Sequence, residues 1–352
     1  MDSTREQSTP VVRETKNSIR VDYEGKLSFK ERLMSKIKSS KTWITGIVNL
    51  FRFVLMLGVS FVILFPFIAK IAGSFMTKED VIDSTISIIP KHPTLEIYKA
   101  IIVENHYFEA FLNTLLVALL CALIQTMVSC LVGYGLAKFK FKGNSLIMGL
   151  VIVTMVIPHG AMELAIKKHF TQFDILSVIS WDYGGPIQWI FGQAPEISDT
   201  ILPMIILSVG GLAFKNGLYI YLMRQFFKGV PDELEESAYV DGSGVVRTFF
   251  QIILPLAVPM MITVFLFSFS WQWSDEFYTN LLIDTGVNPN LFYMPDIVVP
   301  PESLTTDYAG AALYQNVVEN TGGMMVIAPL IILYLFCQRY LVQGIERSGL
   351  VG

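Results

Sequence analysis

Charge is what this sequence has least of. Only 16% of its 352 residues are Asp, Glu, Lys or Arg, while 53% are apolar and 12% aromatic; soluble domains carry about 25% charged residues. The mean hydropathy is +0.52. This balance excludes an ordinary soluble domain and points to a polytopic membrane protein. A net charge of −4 and a pI near 5.7 leave no basic surface for nucleic acid. Cysteine is scarce as well: Cys121, Cys130 and Cys337 all lie inside apolar runs, without C-x-x-C spacing. A disulfide framework is therefore excluded, and a zinc site lacks its usual ligand spacing. The four histidines, His92, His106, His159 and His169, never pair at metal-ligand spacing. Nothing matches G-x-x-x-x-G-K-[ST], the loop that cradles nucleotide phosphates, so the chain is not expected to hydrolyse ATP itself.

What is present is a series of long apolar runs. A membrane helix needs about 20 apolar residues, and six runs qualify: Ile47 to Ile71, Phe111 to Leu136, Leu146 to Leu164, Ile201 to Met223, Ile252 to Trp273 and Met324 to Leu341. The expected fold is all-α, with six transmembrane helices. Lys and Arg sit unevenly about these runs. Counting the flank of the first run through Arg52, the side that holds both termini collects 19 and the other side 5. Both termini are therefore expected in the cytoplasm.

Residues 1–45 read as a cytoplasmic tail. Over Leu27 to Trp43, where basic residues alternate with apolar ones, it is either a helix lying on the inner membrane face or a stop-transfer cluster. Residues 46–346 form the transmembrane domain and 347–352 a cytoplasmic tail. Two longer outer segments, 167–199 and 284–322, are rich in aromatics, Gly and Pro, and read as ordered caps.

The segment 231–255, between the fourth and fifth runs, differs from an ordinary loop. Pro231 suits a first helical turn, Asp232, Glu233, Glu235 and Glu236 suit the positive end of a helix dipole, and Gly242 suits a C-terminal cap. A helix of about eleven residues is marginal alone in water, so this one needs a surface to lie against, its own membrane helices or another protein. Glu236-Ser237-Ala238, three residues, Gly242, nine residues and then Ile252-Ile253-Leu254-Pro255 resemble the EAA motif of type I ABC importer permeases. Ser237 is a small-for-small departure. Asn113-Thr114, Gly133 to Phe139, Pro158 and Leu222 to Phe227 fit the same pattern. The chain is similar to the second permease of carbohydrate importers, the maltose-type branch, from about residue 55 to the end.

That resemblance implies several expectations. The chain would be a permease subunit in a bacterial cytoplasmic membrane, paired with a second permease. An ABC ATPase dimer would supply the energy, using ATP and Mg, with no cofactor in this chain. An extracytoplasmic binding protein would deliver a sugar or oligosaccharide. Glu236, Ala238 and Gly242, with Ser237 and Asp241 beside them, would dock on the ATPase. Gly242→Asp would put a Cβ and a charge into a packed turn.

Candidates for the solute path are the polar and aromatic residues within or at the ends of the runs: Glu163, Lys215, Asn216, Trp271, Gln272, Trp273, Asp275 and Glu276. Each also has a plainer role. The tryptophans suit an interfacial belt, and Lys215 can snorkel. The rival readings are the same machinery with a non-sugar cargo, and an ion-coupled transporter. The latter usually shows repeated halves and a buried ion site, and the sequence shows neither a repeat nor clustered intramembrane carboxylates.

Overall fold

The computed structural model of the chain describes residues 13–14, 20–21, 40–174, 185–283, 293–305 and 310–349. Two compact units divide it, Met1–Ala69 and Lys70–Gly352. The first holds a two-residue antiparallel ladder, Arg13–Glu14 with Arg20–Val21, and most of α1, Ser40–Gly73. Most of the expected surface helix Leu27 to Trp43, residues 27–39, lies outside the described residues.

The second unit is helical. In chain order it contains α2 (Lys78–Ile82), α3 (Glu96–Glu104), α4 (Tyr107–Lys138), α5 (Asn144–Val156), α6 (Glu163–Thr171), α7 (Pro186–Phe191) and α8 (Leu202–Val209). It continues with α9 (Asn216–Lys228), α10 (Glu233–Val240), α11 (Val245–Trp273), α12 (Phe277–Leu282) and α13 (Ala311–Gly349). Four described helices are long and apolar enough to cross a membrane, over Trp43–Gly73, Tyr107–Lys138, Val245–Trp273 and Ala311–Val342.

The two remaining runs are not continuous helices. The third bends by 97° between Asn144–Val156 and His159–Thr171. The cause is Pro158, which pushes Ile157 into extended backbone at φ −66°, ψ 121°. The fourth is interrupted over residues 210–215. Gly211 at φ +70° and Lys215 at φ +62° are both left-handed, so neither can continue a right-handed helix. Apolarity reports that a segment is buried in lipid or protein, but it does not report φ. In α11 the residues Phe249–Ile253 widen into a π turn. The ring of Pro255 would otherwise meet the carbonyl of Gln251, four residues back and inside that turn.

Helix α4 is the axis of this unit, packing on α8, α9 and α11. Its inward face is built from small residues, among them Ala110, Ala118, Ala122, Cys121 and Cys130, which let neighbouring backbones approach. Gly133 is the tightest point: a Cβ there would sit 2.7 Å from Met223 Cβ and 2.9 Å from the Arg224 backbone nitrogen. Gly133→Val is therefore expected to overpack the α4–α9 contact by about 1–3 kcal/mol and to lower the unfolding midpoint in detergent. An unchanged midpoint would contradict this packing.

A polar seam crosses the same helix. Gln125 is fully buried, donating from Nε2 to Ser208 Oγ of α8 at 3.1 Å and accepting at Oε1 from Ser268 Oγ of α11 at 2.7 Å. The described part of the second outer segment is an ordered cap. Asn105 Nδ2 donates to the carbonyls of Ile297 and Val299 at 3.0 and 2.7 Å, and Met294 N donates to Thr114 Oγ1 at 2.8 Å. In the first outer segment Asp174 accepts from Ile187 N and Gln188 N at 3.2 and 2.9 Å, holding the start of α7.

Candidate functional site

Helix α10 begins after Pro231 and ends in a Schellman turn. Ser243 N donates to Ala238 O at 2.9 Å and Gly242 N to Tyr239 O at 3.0 Å, with Gly242 at φ +83°. It has eight residues, fewer than the eleven expected. A helix of roughly 12 Å makes few internal hydrogen bonds, and its stability comes from what it packs on.

It is fastened to the last turn of α4. The Glu235 carboxylate accepts from Tyr134 OH at 2.5 Å and pairs with Lys138 Nζ at 3.3 Å. Both side chains are buried, at 8% and 7% exposure. Lys138 also donates to the carbonyl of Val230 at 2.6 Å and to Asp232. The Lys138 ammonium holds the exposed Asp232 carboxyl below its ordinary range. Sequence reasoning places Glu235 among the acids at the positive end of the helix dipole and does not link it to Tyr134 or Lys138. The signal available was spacing: Tyr134 and Lys138 are i, i+4 on one helix, and Glu235 and Ala238 are i, i+3 on the other.

The expected docking residues separate by orientation. Glu236, Ser237, Asp241 and Gly242 are exposed. Ala238 is only 4% exposed and faces this chain's own bundle, so its small size serves packing within the chain. The expectation of a packed turn at Gly242 is corrected on one point. A Cβ there meets nothing within 4 Å in this chain, and glycine is required by φ +83°. The exposed edge also carries Leu234, Tyr239, Val246 and Val240, the last 88% exposed.

The solute-path candidates fall into three groups. Lys215 and Asn216 line a cavity of about 490 Å³ between the two broken runs, together with His159, Phe214 and Tyr278. The Lys215 ammonium lies 4.7 Å from the Phe214 ring centre and 5.1 Å from that of Trp271, which is half exposed. Phe214 meets Trp271 edge-on at 5.2 Å, and His159 Nδ1 is 2.5 Å from Tyr278 OH. Glu163 and Glu276 are exposed and line a separate cleft with Lys167, which pairs with Asp199 at 3.2 Å.

The third group is held by internal contacts. Trp273 is 1% exposed, donates from Nε1 to Val326 O at 2.9 Å and packs on Phe111 and Phe269. Asp275 accepts from Tyr278 N at 3.3 Å and Thr279 N at 3.0 Å, fastening α12, while burial pushes its carboxyl up to about 6. Both side chains are thus engaged within this chain. Gln272 is buried beside Phe214 and Tyr278.

Two interrupted helices flanking a largely apolar cavity that holds a lysine, and a short helix presented on a capped turn, describe a membrane transport protein. The model of the family described as binding-protein-dependent transport system inner membrane component matches residues 125–347, and the chain belongs to that family. It is an ABC transporter permease, a non-enzymatic component whose ATPase is a separate chain. Among curated relatives, it is 26% identical over 306 residues to the galactooligosaccharides transport system permease protein GanQ of Bacillus subtilis, covering 86% of this chain and 95% of GanQ. It is 25% identical to the maltodextrin transport system permease protein MalD of Streptococcus pneumoniae, covering 84% and 92%. The fold matches a chain in the crystal structure of a bacterial ABC transporter involved in the import of the acidic polysaccharide alginate. There the TM-score is 0.62 at 21% identity, covering 86% of this chain and 98% of that one.

Proposed function

We propose that this chain forms half of the membrane pathway of a bacterial importer for a sugar or oligosaccharide. It sits in the cytoplasmic membrane with six spans and both termini inside. The bent third run and the interrupted fourth run count as spans, because broken helices are tolerated where neighbours or a cavity take up the freed backbone groups. A second permease completes the pathway and an extracytoplasmic binding protein delivers the solute. An ATPase dimer, using ATP and Mg, closes against the exposed edge of α10 at Glu236, Ser237, Asp241 and Gly242.

The observation that carries this reading is α10 itself. One face is rooted in the bundle by Glu235 and Ala238, and the other is left open by this chain. The cargo class is supported by the relatives named for galactooligosaccharides and maltodextrin. The test is mild-detergent purification of the tagged chain from its own cells, with identification of co-purifying chains and assay of ATP hydrolysis. A second permease and an active ATPase are expected. Uptake that survives ATP depletion and collapses with an ion gradient would replace this reading with an ion-coupled carrier.

A further inference from the structure

The cavity between the broken runs has one charged feature that its other residues leave unanswered. Among the described residues its lining includes Lys215 and His159 but no Asp or Glu. Among the described residues Lys215 makes no ion pair; its ammonium lies only against the faces of Phe214 and Trp271. Asp275, three residues before the lining residue Tyr278, is taken up by the N–H groups of Tyr278 and Thr279 and by the Thr279 hydroxyl. A cation within a membrane-spanning bundle is costly unless something answers its charge. The local backbone does not favour lysine either, since at φ +62° Asn or Gly would be less strained.

We infer that this cavity is a subsite for a carboxylated sugar, a uronic acid unit, and that Lys215 selects it. The inference rests on the sugar-importer reading and narrows its cargo. A uronate joins an apolar C–H face to a carboxylate on one ring. The cavity joins aromatic side chains, Phe214 and Tyr278, to an ammonium held over Phe214 and over Trp271 just outside the lining. A cavity of about 490 Å³ falls within the usual range for small-molecule sites. A neutral sugar would fill the same space and stack on the same rings, but it would leave the ammonium without a counter-charge.

The experiment uses the complete transporter in liposomes with its binding protein, and compares trigalacturonate with galactotriose as probes. Import and substrate-stimulated ATP hydrolysis are both read. Lys215→Asn removes the charge while suiting the left-handed backbone, and Lys215→Arg keeps the charge. Wild-type transporter is expected to move trigalacturonate better than galactotriose. Lys215→Asn should lose about tenfold or more of the uronate import, the scale of one charge-assisted hydrogen bond, and so narrow the preference for trigalacturonate over galactotriose, and Lys215→Arg should retain it. Import of galactotriose alone, or uronate import indifferent to Lys215→Asn, overturns the inference and leaves the sugar reading standing. If neither saccharide moves through a complex that hydrolyses ATP, the sugar reading falls and this inference falls with it.

Discussion

Gly242→Asp is expected to leave the protein inserted and assembled while cutting solute uptake and substrate-stimulated ATP hydrolysis by about tenfold or more, the effect of about 1.4 kcal/mol lost at a contact. Gly242 closes the Schellman turn of α10 at φ +83° and is exposed. A Cβ added there meets no atom of this chain within 4 Å. The internal cost is limited to the left-handed backbone, about 1–2 kcal/mol for an L-residue and least for Asn and Asp. Damage to coupling therefore reports on a surface supplied by another chain. Gly242→Asn separates the two contributions, since it carries the same backbone cost without charge. Function near wild type in Gly242→Asn, together with loss in Gly242→Asp, would place an acid-sensitive contact at this turn. Normal uptake by Gly242→Asp would remove the turn from the ATPase contact altogether.

The legibility of this site in the sequence follows from the range of its interactions. Gly242 is legible because a helix C-terminus is a local event, written in the cap residue and the spacing before it. The direction of Ala238 is not, because it depends on which side of α10 meets the bundle. That is decided by Glu235, whose hydroxyl donor Tyr134 lies 101 residues away. Among the spans, α4 and α11 read directly from their apolar runs. Pro158 announces one break by fixing the conformation before it. The break at 210–215 is only hinted at by Gly210-Gly211. The left-handed Lys215 that completes it has no sequence signature, since lysine is not a residue that seeks positive φ. The aromatic wall around Lys215 was half anticipated: Trp271 was a candidate, while Phe214, His159 and Tyr278 reach the cavity only through the two breaks. Trp273, two residues from Trp271, faces inward and is spent on the core.

The second large effect concerns the Lys138–Glu235 pair. Lys138→Met leaves the Glu235 carboxylate buried with Tyr134 OH as its remaining partner and frees the carbonyl of Val230. Removing one member of a buried pair costs about 3–5 kcal/mol, chiefly because the other charge is left uncompensated. Adding Glu235→Gln removes that charge, so the double variant should be more stable than Lys138→Met alone, although it carries one more substitution. Unfolding midpoints in detergent measure this directly. A double variant whose loss equals the sum of the two single losses would show that the side chains do not interact.

The functional readout is import per ATP hydrolysed. Glu235 joins α10 to the last turn of α4, and Gln125 lies 13 residues back along α4, roughly 20 Å at the rise of an α-helix. There Gln125 bonds Ser208, two residues before the break that forms the cavity, and Ser268 of α11. On the proposed coupling, a push on α10 would pass along α4 to the Gln125 contacts beside the cavity. Glu235→Gln keeps the shape of the side chain but loses the charge that grips Lys138. It should retain basal ATP hydrolysis by the partner while lowering solute moved per ATP. A proportional fall in both rates would mean instead that α10 has lost its seat on the bundle, and that Glu235 serves only to hold it in place.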